Sequence, residues 1–306
     1  MFFFVSESDS NCHRSRSVNR GIRMLLDAKG VQYTEITQLS AYLEKHLGTH
    51  LSGPEDIWLL ADAHSHAARQ LTAVQGKKFA HVHTHADFLH DVLSALDGIF
   101  AESHWTKARL VHAYPMLSSR ITVCGVPFYP LLADDNPLKH KNLIIFKQSF
   151  CHENLAVLEV YLSDFLLSRG CRVIHLSPAQ EEPSIHNAAE LFYLMREGEK
   201  RGMEFVFYSR LEDCYRYLAQ AQAMIITPLG QPDIFTILEA GALGTPTLAP
   251  DCGTLSELLP PQNLYPPYNL ESIIEKACSP PAAQACFEHF SPEFVYTTYQ
   301  HIMGVS

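Results

Sequence analysis

An α/β protein built from two successive parallel sheets is what this sequence predicts. Three observations carry that prediction. Short apolar runs alternate with helical patterns along almost the whole chain, the mark of repeated βα units. The runs are continuously apolar, as strands buried on both faces require. The alternation stops once, in a Pro-, Asp- and Lys-rich stretch from Phe128 to Lys141, and then restarts. The expected product is two Rossmann-like domains, residues 1–130 and 131–290, facing across a cleft.

The elements follow in order. Phe2–Val5 reads as a buried strand. A polar loop over Ser6–Ser17 leads to a helix from about Val18 to Lys29, ended by Gly30. Gln32–Ile36 is a strand and Leu39–Leu47 a helix. Asp56–Leu60 and His64–Leu71 repeat the pair, as do Lys78–His83 and Phe88–Leu96. Gly98–Ala101, a helix over Trp105–Tyr114 and Ile121–Cys124 close the first half. After the linker come the strand Asn142–Phe146 and the helix Glu153–Ser168. Arg172–Leu176, Ala188–Arg201, Glu204–Tyr208 and Leu211–Ala221 continue the alternation. Ala223–Thr227 is the next strand. A Gly/Pro loop then opens a helix over Ile234–Leu243, with Asp233 as its cap and Gly244 as its stop. Pro246–Ala249 is the last predicted strand, followed by helices over Leu255–Leu259, Leu270–Ala277 and Pro292–Met303.

Composition bounds the function. The 306 residues suffice for one large or two medium domains. A formal net charge of −10 argues against a surface that coats nucleic acid. The first apolar run, Met1–Val5, is too short for a signal core or a membrane span. Eight cysteines occur with no C-x-x-C pair, which reads as reduced thiols in a cytoplasmic protein. Arg14, Arg16, Arg20 and Arg23 gather positive charge at the first strand-to-helix crossover. They suit either a phosphate contact or a solvated helix face.

The stretch from Pro228 to Pro250 carries the chemistry. A strand runs into a Gly/Pro loop and then a helix, so free backbone N–H groups and the helix dipole face the carboxyl edge of a sheet. Glu239 lies inside that helix. Gln231 and Glu239 have the spacing of an E-x7-E motif, and Ala240–Ala249 and Cys252–Glu257 extend the pattern. Weaker echoes occur at Asp97–Ser103, Val123–Pro127, Phe205–Ser209 and Phe290–Glu293. Together these residues resemble the retaining glycosyltransferases of family 4, which have the GT-B fold.

That resemblance implies specific roles. Residues 1–130 become an acceptor domain, to which a crossover helix over 291–306 returns, and 131–290 a donor domain for a nucleotide sugar. The reaction is sugar transfer with retention to an unknown acceptor, without a metal or other cofactor. Glu239 holds the ribose hydroxyls, since a carboxylate accepts two hydrogen bonds from a vicinal diol. Gly230, Gln231, Pro232, Asp233 and Ile234 surround the sugar and diphosphate. Gln148 falls at a diphosphate position, where the residues themselves, apart from the resemblance, offer Lys147 beside it and Arg14 or Arg16 from across the cleft, and Ser209 and Arg210 border the nucleotide base. His83 lies beside the reacting sugar carbon, with His85 as second choice.

Three departures from the family pattern stand out. Gln231 replaces the first glutamate of the motif. Gln148 and Glu153 stand where the family has its diphosphate-binding arginine and lysine, so leaving-group neutralisation falls to Lys147. Ser10–His13 stands in place of a Gly-Gly loop. A degenerate GT-B subunit, acting as partner to another glycosyltransferase subunit or as a homo-oligomer, is therefore a second reading. A third is a metal-dependent hydrolase. Asp62-Ala-His-Ser-His66 and His81-Val-His-Thr-His85 both have H-x-H spacing, in which imidazoles at i and i+2 share a metal.

Overall fold

A computed structural model describes residues 1–6, 13–45, 53–61, 66–72, 74–83, 90–130, 140, 142–147, 156–179, 185–227, 234–283 and 288–305. The chain forms two compact units, Met1–Tyr129 with Phe287–Ser306, and Pro130–Cys286. Each holds a six-stranded sheet, and every strand pairing among the described residues is parallel.

The first unit runs β1 (Phe2–Val5), α1 (His13–Ala28), β2 (Thr34–Ile36), α2 (Leu39–Lys45), β3 (Ile57–Leu60) and α3 (His66–Leu71). It continues with β4 (Lys77–Val82), α4 (His90–Ser94), β5 (Gly98–Ala101), α5 (His104–Ala113) and β6 (Ile121–Val123). Its strand order is β2-β1-β3-β4-β5-β6. The strands are apolar because both faces are covered, and β1 and β5 are buried throughout. Phe3 stacks on Trp58 across the β1–β3 pair at 4.3 Å between centroids, an aromatic contact adding about 1 kcal/mol beyond its area.

The second unit runs β7 (Leu143–Lys147), α6 (Ala156–Ser168), β8 (Arg172–Pro178), α7 (Ile185–Arg201), β9 (Glu204–Tyr208) and α8 (Leu211–Gln220). Then come β10 (Ala223–Ile225), α9 (Ile234–Ala242), β11 (Thr247–Pro250), α10 (Leu255–Leu258), β12 (Leu264–Tyr265) and α11 (Leu270–Cys278). Its order is β12-β11-β10-β7-β8-β9. The last helix, α12 (Pro292–Met303), belongs to the first unit. Ser291 caps it by accepting from the Phe294 N–H at 3.2 Å, Pro292 opens it, and left-handed Gly304 (φ 74°) ends it. It buries Val295, Tyr299 and Met303.

The elements match the sequence expectation with a few differences. α1 starts at His13, inside the stretch expected to be loop. Its apolar stripe begins only at Val18, so the pattern marks the buried turns and not the polar ones before them. A short 3-10 turn over Pro115–Arg120 and the two-residue β12 are too brief to leave a periodic signal. Most of the expected linker, residues 131–139 and 141, lies outside the described residues. Among the described residues, no helix is long and apolar enough to cross a membrane.

Candidate functional site

In the second unit the strand order reverses between β7 and β10, with β8 and β9 on one side and β11 and β12 on the other. Ligands of open α/β sheets bind outside the carboxyl ends of the strands at such a switch point. Lys147 is the last residue of β7 and is only 5 % exposed. Its pairing explains where it goes. Lys147 pairs with Leu176 and Tyr208 with Pro178, so both project from the same sheet face. The Lys147 Nζ lies 5.1 Å from the Tyr208 ring centroid, within cation–π range.

Glu239 sits in α9, where Ile234 through Ala240 are all buried, and it is 4 % exposed itself. It accepts a short hydrogen bond from the Tyr215 hydroxyl of α8. A carboxylate this deep requires such donors, because burial without a partner costs several kcal/mol. Arg210 precedes α8 and is exposed. Its Nε and Nη2 donate to Asp213 at 3.3 Å each. Ser209, beside it, is also exposed.

In the first unit His83 follows β4 and is buried. Its Nε2 lies 2.9 Å from the Ala61 carbonyl, which only accepts, so Nε2 carries a hydrogen. Its Nδ1 lies 3.4 Å from Oε2 of Glu102, which directly follows β5. His81 stacks on His83 at 5.5 Å with rings 4° from parallel. Its Nε2 bonds the Tyr299 hydroxyl of α12 at 2.6 Å. Burial first, and the charge on His83 second, hold His81 well below the ordinary imidazole value.

Several expected site residues fall outside these geometries. Gly230, Gln231, Pro232, Asp233, Gln148 and His85 lie outside the described residues, as do Glu153, Asp62 and His64. Arg14 and Arg16 lie in the first turns of α1, and His66 opens α3; their side chains are not described. Ile234 is the first residue of α9 and is buried. Among the described residues, no three His, Cys, Asp or Glu side chains are grouped to hold a metal. The sequence reading missed Tyr208, Tyr215 and Glu102. Tyr215 reads as one more apolar position on an amphipathic helix, since α8 buries Cys214, Tyr215, Leu218 and Ala219. Glu102 did leave a signal, a charged residue between the buried run of β5 and the helix cap Ser103.

By sequence, the chain matches no protein-family model and no curated protein. Solved structures do resemble it. HepE of Anabaena, in complex with UDP and glucose, superposes with a TM-score of 0.69 at 12 % identity, covering 99 % of both chains. A UDP-forming α,α-trehalose-phosphate synthase of Burkholderia vietnamiensis gives 0.68 at 11 % identity, covering 99 % of this chain and 98 % of that one. TarM of S. aureus, in complex with UDP and α-GlcNAc-glycerol, gives 0.66 at 12 % identity over 86 % of this chain. The chain spans 57 % of the length of TarM. The fold is that of the GT-B glycosyltransferases, as the sequence led us to expect.

Proposed function

We propose that this chain is a glycosyltransferase similar to the retaining enzymes of family 4, moving a sugar from a nucleotide donor to an acceptor. The observation that carries this reading is the pairing of two groups in the second unit. A buried cation, Lys147, ends the strand at the switch point, and a buried carboxylate, Glu239, lies in the helix after β10. Lys147 is assigned the diphosphate, together with Gln148. Glu239 is assigned the ribose hydroxyls, with Tyr215 holding one of its oxygens in place. Gly230, Gln231, Pro232, Asp233 and Ile234 are assigned to the sugar and diphosphate. Ser209 and Arg210 are assigned to the base, and Arg14 and Arg16 to the phosphates. His83 takes the electrostatic role beside the reacting carbon, with Glu102 next to it, and His85 remains its alternative. Transfer proceeds with retention and without a metal. UDP is the first nucleotide to test, because HepE and TarM were solved with it.

The test is nucleotide binding by calorimetry. Glu239→Ala is expected to raise the UDP Kd at least tenfold, about 1.4 kcal/mol. An unchanged Kd removes Glu239 from the site. The binding-only reading keeps one observation in its favour: the Arg210 guanidinium is committed to Asp213. Transfer or donor hydrolysis by the isolated chain rules that reading out.

A further inference from the structure

The interface between α6 and the sheet of the second unit changes character along its length. Toward the amino ends of the strands it is apolar, with Ile144, Val173 and Leu166 in one cluster. At the carboxyl end it turns polar, where Glu159, His175, Ser177 and Thr227 are all buried. These four side chains bond to one another. The His175 Nδ1–H donates to Glu159 Oε2 at 2.9 Å, and the Thr227 hydroxyl donates to Glu159 Oε1 at 3.2 Å. Since a carboxylate only accepts, Nδ1 carries a hydrogen, and Nε2 is hydrogen-bonded with the Ser177 hydroxyl at 2.9 Å.

The order serine, histidine, carboxylate is that of a hydrolytic triad. Ser177 is fully buried, however, and its hydroxyl faces the imidazole inside the core, so no substrate reaches it. Stability alone gives no reason for the cluster either. A buried ionic group is often matched or bettered by apolar side chains of similar volume, and the rest of this interface is apolar.

Position supplies the reason. His175 and Ser177 come from β8, and Thr227 follows β10. β7 lies between them and ends in Lys147. Strands two apart are roughly 9–10 Å distant, so Glu159 straddles β7 to hold both flanking strands. His175 pairs with Phe146, one residue before Lys147 and on the opposite face from it. The network grips the sheet from beneath, at the very end where the switch point opens.

We infer that Glu159 and His175 are positioning residues for diphosphate binding: by fixing the ends of β8 and β10, they hold Lys147 at the crevice. This rests on the glycosyltransferase reading above. The cause is preorganisation, since a charged ligand is bound best by groups that need not move to meet it.

The test measures UDP affinity by calorimetry and melting by circular dichroism in the full chain. Thr227→Val removes the donor at nearly constant volume, and Glu159→Gln leaves one acceptor oxygen where two donors converge. Both are expected to raise the UDP Kd at least tenfold, while Thr227→Ser stays within threefold of the wild type. Ser163→Ala is the control. Ser163 is buried on the same helix one turn on, and its hydroxyl meets the Met203 sulfur at 3.4 Å. It is expected to leave the Kd unchanged whatever its effect on melting. If Glu159→Gln does not fold, the Thr227 pair decides alone. A wild-type Kd in Thr227→Val, or a Kd that merely follows melting across all variants including Ser163→Ala, overturns the positioning role and leaves the donor site standing. A wild type that binds none of UDP, GDP, ADP and dTDP overturns both.

Discussion

Each unit buries a histidine against a glutamate at the carboxyl end of a six-stranded parallel sheet, but the two pairs are wired differently. In the second unit, His175 has a carboxylate on one nitrogen and a hydroxyl on the other. In the first unit, His83 has a carbonyl on one nitrogen and a carboxylate on the other. A second buried ring, His81, stacks against that histidine. The same two residue types therefore sit in a hydroxyl-bearing network in one unit and beside a stacked second imidazole in the other. The partner on the second ring nitrogen makes the difference.

The largest expected effect breaks the closed network. His175→Leu leaves Glu159 buried with one of its donors gone, which is expected to cost about 3–5 kcal/mol. Replacing both, as Glu159→Leu with His175→Leu, is expected to recover most of that loss. Denaturant unfolding followed by far-ultraviolet circular dichroism gives both values. A single-variant cost below about 1 kcal/mol would mean that the network is not held as described.

The first unit is tested by pH. His81 has a folded pKa below its unfolded value, so the unfolded chain takes up a proton that the folded core refuses. Its contribution is present above about pH 6.5 and falls by about 1.4 kcal/mol for each pH unit below that. The chain has two tryptophans, Trp58 and Trp105, and both lie in the first unit, so tryptophan emission reports that unit alone. Its urea midpoint is expected to drop from pH 7 to pH 5. His81→Gln keeps a polar group toward Tyr299 and is expected to flatten that dependence.

What the sequence made legible follows the same division between backbone and side-chain partners. Continuous apolar runs marked β1, β3 and β7 because strands covered on both faces admit little else. The amphipathic pattern marked α12, whose ends Ser291, Pro292 and Gly304 fix through local capping chemistry. Glu239 stood out through the spacing of the E-x7-E motif, and Lys147 only as the cation next to Gln148. Tyr215 with Glu239, and Glu159 with His175, did not stand out. Those contacts join residues 24 and 16 positions apart on separate elements. No local period records them. α6 turns its glutamate, Glu159, inward and leaves Val157 and Tyr161 exposed.

The smallest expected effect comes from the other end of β8 and sharpens the contrast within a single strand. Arg172 opens β8, and its Nε and Nη2 donate to Glu204 of β9 at 2.6 and 2.7 Å. The geometry is bidentate, but both side chains are about half exposed. Solvent screening therefore offsets most of the attraction, and Arg172→Ala is expected to cost less than about 1 kcal/mol. The Arg172 hydrogen bonds hold the Glu204 carboxyl below its ordinary value. Its contribution is thus present above that ordinary value and fades as pH falls through the folded one. Molar salt is expected to shrink the Arg172→Ala cost further while leaving the His175→Leu cost nearly unchanged, because buried groups are screened far less. Equal salt sensitivity at the two ends of β8 would mean that solvent reaches the Glu159 network, and its closed character would be lost.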